Sequence, residues 1–168
     1  MISLLSQNIF RFIGLVLLQV FILNNIQFSG YFNPFLYTLF ILLLPFEIPT
    51  WFLLILSFIL GVTVDVFSNT LGLHTAATVF MGFLRPYVLK VLSPRDGYEP
   101  GTLPKIGNFG LSWFLKYSIA LVFAHHFMLF FLEVFGFDNF FSTIFRIIAS
   151  SIFTISLIIL SQYITYRK

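Results

Sequence analysis

Asp65, His74 and Arg85 are the groups of this chain best suited to chemistry, and all three lie between Trp51 and Leu92, a stretch otherwise almost continuously apolar. A carboxylate and an imidazole can move protons, and a guanidinium can hold an anion. At bilayer depth each such group costs roughly 2.5–3.5 kcal/mol to insert, so it faces a bundle interior, pairs with a partner or marks a site. Glu133 and Arg146 place a second acid and a second cation in later apolar runs. These five residues are the candidates for an intramembrane polar or partner-coupling site.

No catalytic, cofactor-binding or metal-binding set accompanies them. His125 and His126 are adjacent, so on a helix they point about 100° apart and do not converge on one metal. Glu133 is two turns from His126, too far to chelate with it. There is no His-Glu-x-x-His, no Gly-x-Ser-x-Gly, no phosphate-cradling loop and no close pair of carboxylates. The absence of cysteine excludes disulfides, thiol nucleophiles, thiolate zinc sites and Fe–S clusters. The histidines read as satisfied interior or interfacial residues, and the chain as a non-enzyme.

The elements that must position these groups follow from composition. Only 9% of the 168 residues are charged and 59% are hydrophobic, whereas a soluble domain carries about 25% charged residues. The chain is therefore expected to be an all-α integral membrane protein, one compact domain embedded in the lipid bilayer. The formal charge of +3 is small and scattered, which argues against nucleic acid. The 25 phenylalanines suit lipid-facing and interhelical packing.

A spanning helix needs about 20 mostly apolar residues, and six spans are expected at 8–27, 33–48, 50–67, 73–92, 111–135 and 139–163. The first resembles a signal peptide but runs into Asn24-Asn25-Ile26-Gln27 without a small-residue cleavage site, and reads as a retained anchor. The second is bracketed by Pro34 and Pro45, so it is short or kinked, a length at which a re-entrant segment competes. Pro49, Thr50 and Trp51 start the third, and Asp138 and Asn139 offer capping chemistry for the last.

Six spans place Arg11, Lys90, Arg95, Lys105, Lys116, Arg167 and Lys168 on one side, which the positive-inside rule makes cytoplasmic. Both termini are then cytoplasmic. Five spans with an external N-terminus would lose only Arg11 and the terminal amine from this agreement. The loop 93–110, with three prolines and four glycines, is either a linker or a cytoplasmic contact surface exposing Arg95, Asp96, Tyr98 and Glu99.

Helical spacing gives three polar or small stripes: Ser57-Gly61-Asp65-Ser68, His74-Thr78-Gly82-Arg85 and Ser142-Arg146-Ser150-Thr154. Such stripes let helices approach closely, so these faces are expected to meet, with Ser57, Gly61, Gly82 and Ser150 as packing residues. Asp65, His74 and Glu133 fall towards the external side, with Arg146 roughly 10 Å below it and needing an anion, either Asp65 or Glu133. Arg85 falls roughly 10 Å from the cytoplasmic ends, within reach of snorkelling.

The sequence Gly61-Val62-Thr63-Val64-Asp65-Val66-Phe67-Ser68, followed by Leu71-Gly72-Leu73-His74, resembles the signature of the rod shape-determining protein MreD family. Phe83-Leu84-Arg85-Pro86-Tyr87, Pro94-Arg95-Asp96-Gly97-Tyr98-Glu99, Asn33-Pro34 and Leu44-Pro45-Phe46-Glu47 extend the resemblance over residues 30–105. The resemblance implies a non-enzymatic scaffold of the bacterial inner membrane. It would act in the elongation machinery for cell shape and lateral peptidoglycan synthesis. Implied partners are MreC, bound directly, then MreB and the RodA and penicillin-binding protein 2 pair. The resemblance also implies a fold similar to the substrate-binding subunits of vitamin importers, so such a subunit is the first rival reading. An intramembrane enzyme using His74 or His125 as base is the second.

Overall fold

A computed structural model of the chain describes residues 2–25, 33–135 and 140–166. Asp138 and Asn139, expected to cap the last helix, lie outside the described residues. Six α-helices run in chain order among the described residues: α1 Ile2–Phe21, α2 Leu39–Leu42, α3 Thr50–Ser68, α4 Leu73–Val91, α5 Ile106–Val134 and α6 Phe140–Tyr166. Among the described residues there is no strand. Four helical segments among the described residues are long and apolar enough to cross a membrane: Ser6–Asn25, Thr50–Ser68, Ile106–Val134 and Phe140–Thr165. α4 equals α3 in length but carries His74, Arg85, Pro86 and Lys90, which lower its apolarity.

The helices α3 to α6 pack each against the next, and α1 leans on α3 and on the segment around α2. The α3–α4 contact is set by glycines. A Cβ at Gly61 would overlap the Thr75 backbone, and one at Gly82 would overlap the Ser57 hydroxyl. The first two stripes therefore do meet, glycine against side chain or backbone. The stripe of α6 does not join them. Its Ser150 and Thr154 hydroxyls instead accept the backbone N–H groups of Asn33 and Phe35, at 3.1 and 3.0 Å.

The turns follow from local chemistry. Pro49, extended, precedes the first turn of α3, where its carbonyl accepts from Phe52 and Leu53. Asn69 closes α3 in the left-handed region at φ 55°, and Gly72 opens α4 at φ 80°. Asparagine and glycine are the residues that adopt this conformation with least strain. In α5, Gly110 at φ 77° and ψ 167° breaks the first turn from the long run that follows.

The second expected span takes a different form. Its helical part is a 3-10 turn, Leu36–Thr38, continued by the four residues of α2. Seven residues fall far short of a bilayer crossing. Every residue from Pro34 to Leu44 is buried, so the segment touches protein rather than lipid. It threads down the bundle centre from Asn33, beside Ser150, to Pro45, beside Arg85.

The 93–105 connection also folds back. Tyr98 stacks on Phe46 at 4.1 Å and 9°, and its hydroxyl donates to the Leu89 carbonyl at 2.8 Å. Phe109 and Trp113 close this cluster, with the Trp113 indole donating to the Leu92 carbonyl. Tyr98 is thus corrected from an exposed contact residue to an anchor, while Arg95, Asp96 and Glu99 stay exposed.

Gly61→Ala should lower the melting temperature of the detergent-purified protein by the equivalent of about 1–3 kcal/mol, because α4 must move away. Gly14→Ala, where a Cβ meets nothing within 4 Å, should be neutral. Gly82→Ala should be partly rescued by Ser57→Ala, since the clash is with the serine hydroxyl.

Candidate functional site

Asp65 is a capping residue for the next helix. Its Oδ1 accepts the backbone N–H of His74 at 3.0 Å, and its Oδ2 accepts that of Thr75 at 2.8 Å. The Thr70 and Thr75 hydroxyls each donate to it at 2.5 Å. The first N–H groups of α4 have no partner within the helix, and a carboxylate there also meets the positive end of the helix dipole. The eight residues between Asp65 and His74 are just the end of α3, the turn and the first residue of α4. The carboxylate is thereby consumed locally, and Arg146 is not its partner.

Arg85 is 1% exposed, which overturns the expectation that it snorkels. Its Nε donates to the Tyr117 hydroxyl at 2.8 Å. Nη1 and Nη2 donate to the Pro45 carbonyl at 3.3 Å, and Nη2 also bonds the Leu44 carbonyl. The Tyr117 hydroxyl in turn donates to the Leu42 carbonyl at 3.1 Å. A cation and a phenol thus collect the free carbonyls where the short α2 ends. Those groups would otherwise lie buried and unpaired.

Three histidines sit at the other end of the same segment, around the Phe35 ring. The Tyr37 hydroxyl lies 2.9 Å from His74 Nδ1 and 2.7 Å from His125 Nε2, and His125 Nδ1 is buried without a partner. An orphaned lone pair costs less than an orphaned N–H. The favoured direction therefore runs from His125 Nε2–H to Tyr37, and from the Tyr37 hydroxyl to His74 Nδ1. His126 donates through Nδ1 to the Val122 carbonyl at 2.8 Å, so its Nε2 accepts from Thr154 at 3.2 Å. Thr154 in turn accepts the Phe35 N–H. Among the described residues no group of three His, Cys, Asp or Glu is arranged to hold a metal.

Glu133 and Arg146 form an ion pair at 3.0 Å, with the guanidinium 4.3 Å from the Phe130 ring centroid. Of the two carboxylates open to Arg146, Glu133 is the partner. The pair lines a cavity of about 430 Å³ together with Asn24, Asn33, Ser68 and His74. Arg146 Nε and Gln19 Oε1 are buried without a hydrogen-bond partner near this end of the bundle. Gln19 Nε2 donates to both the Pro34 carbonyl and Asn24 Oδ1 at 2.9 Å.

The five candidate polar residues thus divide into separate assemblies. Asp65 and His74 meet through backbone, Glu133 and Arg146 through side chains, and Arg85 stands apart. Ser57, Gly61, Gly82 and Ser150 all lie in tight contacts. Tyr37, Tyr117 and Gln19 were not singled out in the sequence. Tyr117 and His125 share a helix face eight residues apart, a spacing that could have flagged the first.

No family model matches the chain, and no curated sequence or solved structure is significantly similar to it.

A double-mutant cycle of Arg146→Ala with Glu133→Ala should show a coupling of about 0.5–3 kcal/mol, and Arg146→Ala with Asp65→Ala should be additive. Chemical denaturation in detergent checks both. Coupling to Asp65 alone would overturn the pairing.

Proposed function

We propose that the chain is a non-enzymatic scaffold of the bacterial elongation complex, of the MreD kind, which binds MreC in the inner membrane. The observation that carries this reading is the fate of the signature residues. Gly61, Asp65, Gly72 and His74 are spent on the α3–α4 turn and on internal hydrogen bonds. A signature of this kind specifies a rigid bundle and leaves no reacting group free. Action then falls to helix faces such as those bearing Phe10, Trp51 and Phe141, exposed by 76%, 65% and 87%. Large apolar side chains on such faces suit lipid and the single helix of a bitopic partner.

In this reading the chain passes the membrane six times. The threaded segment 33–49 counts as one pass because protein surrounds it, and α4 as another because its polar groups face inward. Both termini are cytoplasmic, and the turn at Asn69–Gly72 and the Glu133–Arg146 cavity are external. MreB and the RodA and penicillin-binding protein 2 pair join through this assembly. A second reading, the substrate-binding subunit of a small-molecule importer, is favoured by one feature. The external cavity of about 430 Å³ has a mixed polar lining of suitable size for a small ligand.

Affinity purification of the chain co-expressed with MreC should retain MreC, and depletion in a rod-shaped host should round the cells. A small molecule and a transport ATPase subunit recovered instead would install the importer reading. A reporter fused before Ile9 should register as cytoplasmic, and an external signal would remove the six-pass arrangement.

A further inference from the structure

α1 and α3 leave a groove between them, floored by the buried segment. Its volume is about 520 Å³, and Ile9, Phe12, Phe40, Leu44, Phe52 and Ile59 make it almost wholly apolar. It starts at a rim formed by Asn8, Glu47 and Pro49 and rises towards Ile59. Two cations adjoin that rim. Arg11 donates to Asn8 Oδ1 at 2.9 Å and to the Leu43 carbonyl at 3.4 Å, both neutral acceptors. Lys105 precedes α5 and is half-buried. It follows by four residues Gly101, whose N–H is held by Glu47 at the rim, and burial first and the Arg11 guanidinium second pull its amine below the usual lysine range. The acid at the rim, Glu47, accepts the Gly101 N–H at 2.6 Å. Among the described residues the one ion pair within 4.0 Å is Glu133–Arg146, so neither cation has a carboxylate partner.

Two cations against the single carboxylate of Glu47, beside an apolar slot, suit an anion carrying an apolar tail. We infer that this groove is a binding site for one anionic phospholipid of the cytoplasmic leaflet, its acyl chain along α1 and α3 and its phosphate between Arg11 and Lys105. The bilayer supplies such a molecule wherever a groove opens to it, and anionic lipid is concentrated on that leaflet. The site would tie α1, which otherwise leans mainly on the buried segment, to the rest of the bundle. The inference rests on the proposed membrane orientation, with Arg11 and Lys105 on the cytoplasmic side.

The full chain, reconstituted in mixed phosphatidylglycerol and phosphatidylcholine vesicles and re-extracted in mild detergent, can be assayed for retained lipid by mass spectrometry. Phosphatidylglycerol should be enriched over phosphatidylcholine, and each of Arg11→Gln and Lys105→Gln should reduce that enrichment by about fivefold. Arg11→Lys should preserve most of it. Ile59→Trp, at a half-exposed position, should lower retention of both lipids without changing the melting temperature of the lipid-free protein. Equal retention of the two lipids, unmoved by the charge variants, would overturn the lipid site and leave the membrane reading standing. So would an Ile59→Trp variant that changes the oligomeric state instead of lipid retention, because a second copy would then fill the groove. Failure of the chain to enter either kind of vesicle would overturn both readings together.

Discussion

The rest of the structure depends on how the backbone of residues 33–45 is satisfied. A short irregular segment in a protein interior carries N–H and C=O groups that water does not reach, and each one left unpaired costs roughly 1–3 kcal/mol. Here the helices around it supply the missing partners. Ser150 and Thr154 of α6 take the N–H groups at its start, and Gln19 of α1 takes the Pro34 carbonyl. At its end, Tyr117, Arg11 and Arg85 take the carbonyls of Leu42, Leu43, Leu44 and Pro45. Polar side chains in four helices thus share one purpose. They allow a continuous run of apolar residues to sit at the centre of the bundle without a full helix of its own.

The same requirement explains why the most expensive of these groups is retained. Arg85 at 1% exposure brings a charge into the core without an acidic partner. Its planar fork of donors matches several carbonyls at once, and lysine could not span them in the same way. The partial negative charge at the end of α2 and the Tyr117 oxygen spread the balancing density over several acceptors. Asp65 solves the converse problem at the α4 N-terminus, where it meets unpaired N–H groups and two hydroxyls. Each ion is stabilised by the end of a helix rather than by the other. That is why two charges twenty residues apart in sequence have no need to meet.

The sequence made some of this legible and hid the rest for physical reasons. Insertion cost alone marked Asp65 and Arg85 as interior groups. Four-residue spacing located the α3–α4 seam, because close packing there needs small residues at every turn. Pro34 and Pro45 marked the unusual second segment, but periodicity had nothing to say about its burial, since every side chain from Phe35 to Leu44 except Thr38 is apolar or aromatic. The partners of Arg85 were illegible for a related reason. They are mostly carbonyls, which every residue carries, and they lie some forty residues earlier in the chain. Helical spacing alone leaves snorkelling open to Arg85, because the threaded segment that encloses its guanidinium leaves no mark in that spacing. Tyr98 was misplaced because a loop rich in proline and glycine reads as solvated, while the Phe46 ring that stacks on it comes from a different turn.

Function is located by what remains once the internal bonds are assigned. Gly61, Asp65 and Gly72 serve the α3–α4 junction, and His74 joins it through its backbone N–H while its ring bonds Tyr37. Two features remain outside that internal network: the cavity beside Glu133 and Arg146, and the apolar faces with the groove between α1 and α3. In the cavity the two ions neutralise each other, so a ligand of either sign must compete with an existing bond at 3.0 Å. On the faces no bond has to be broken, since lipid contacts are exchanged for protein contacts of similar strength. Helix association, the mode proposed above, is therefore the less costly of the two, and the rigid, internally satisfied core is compatible with it.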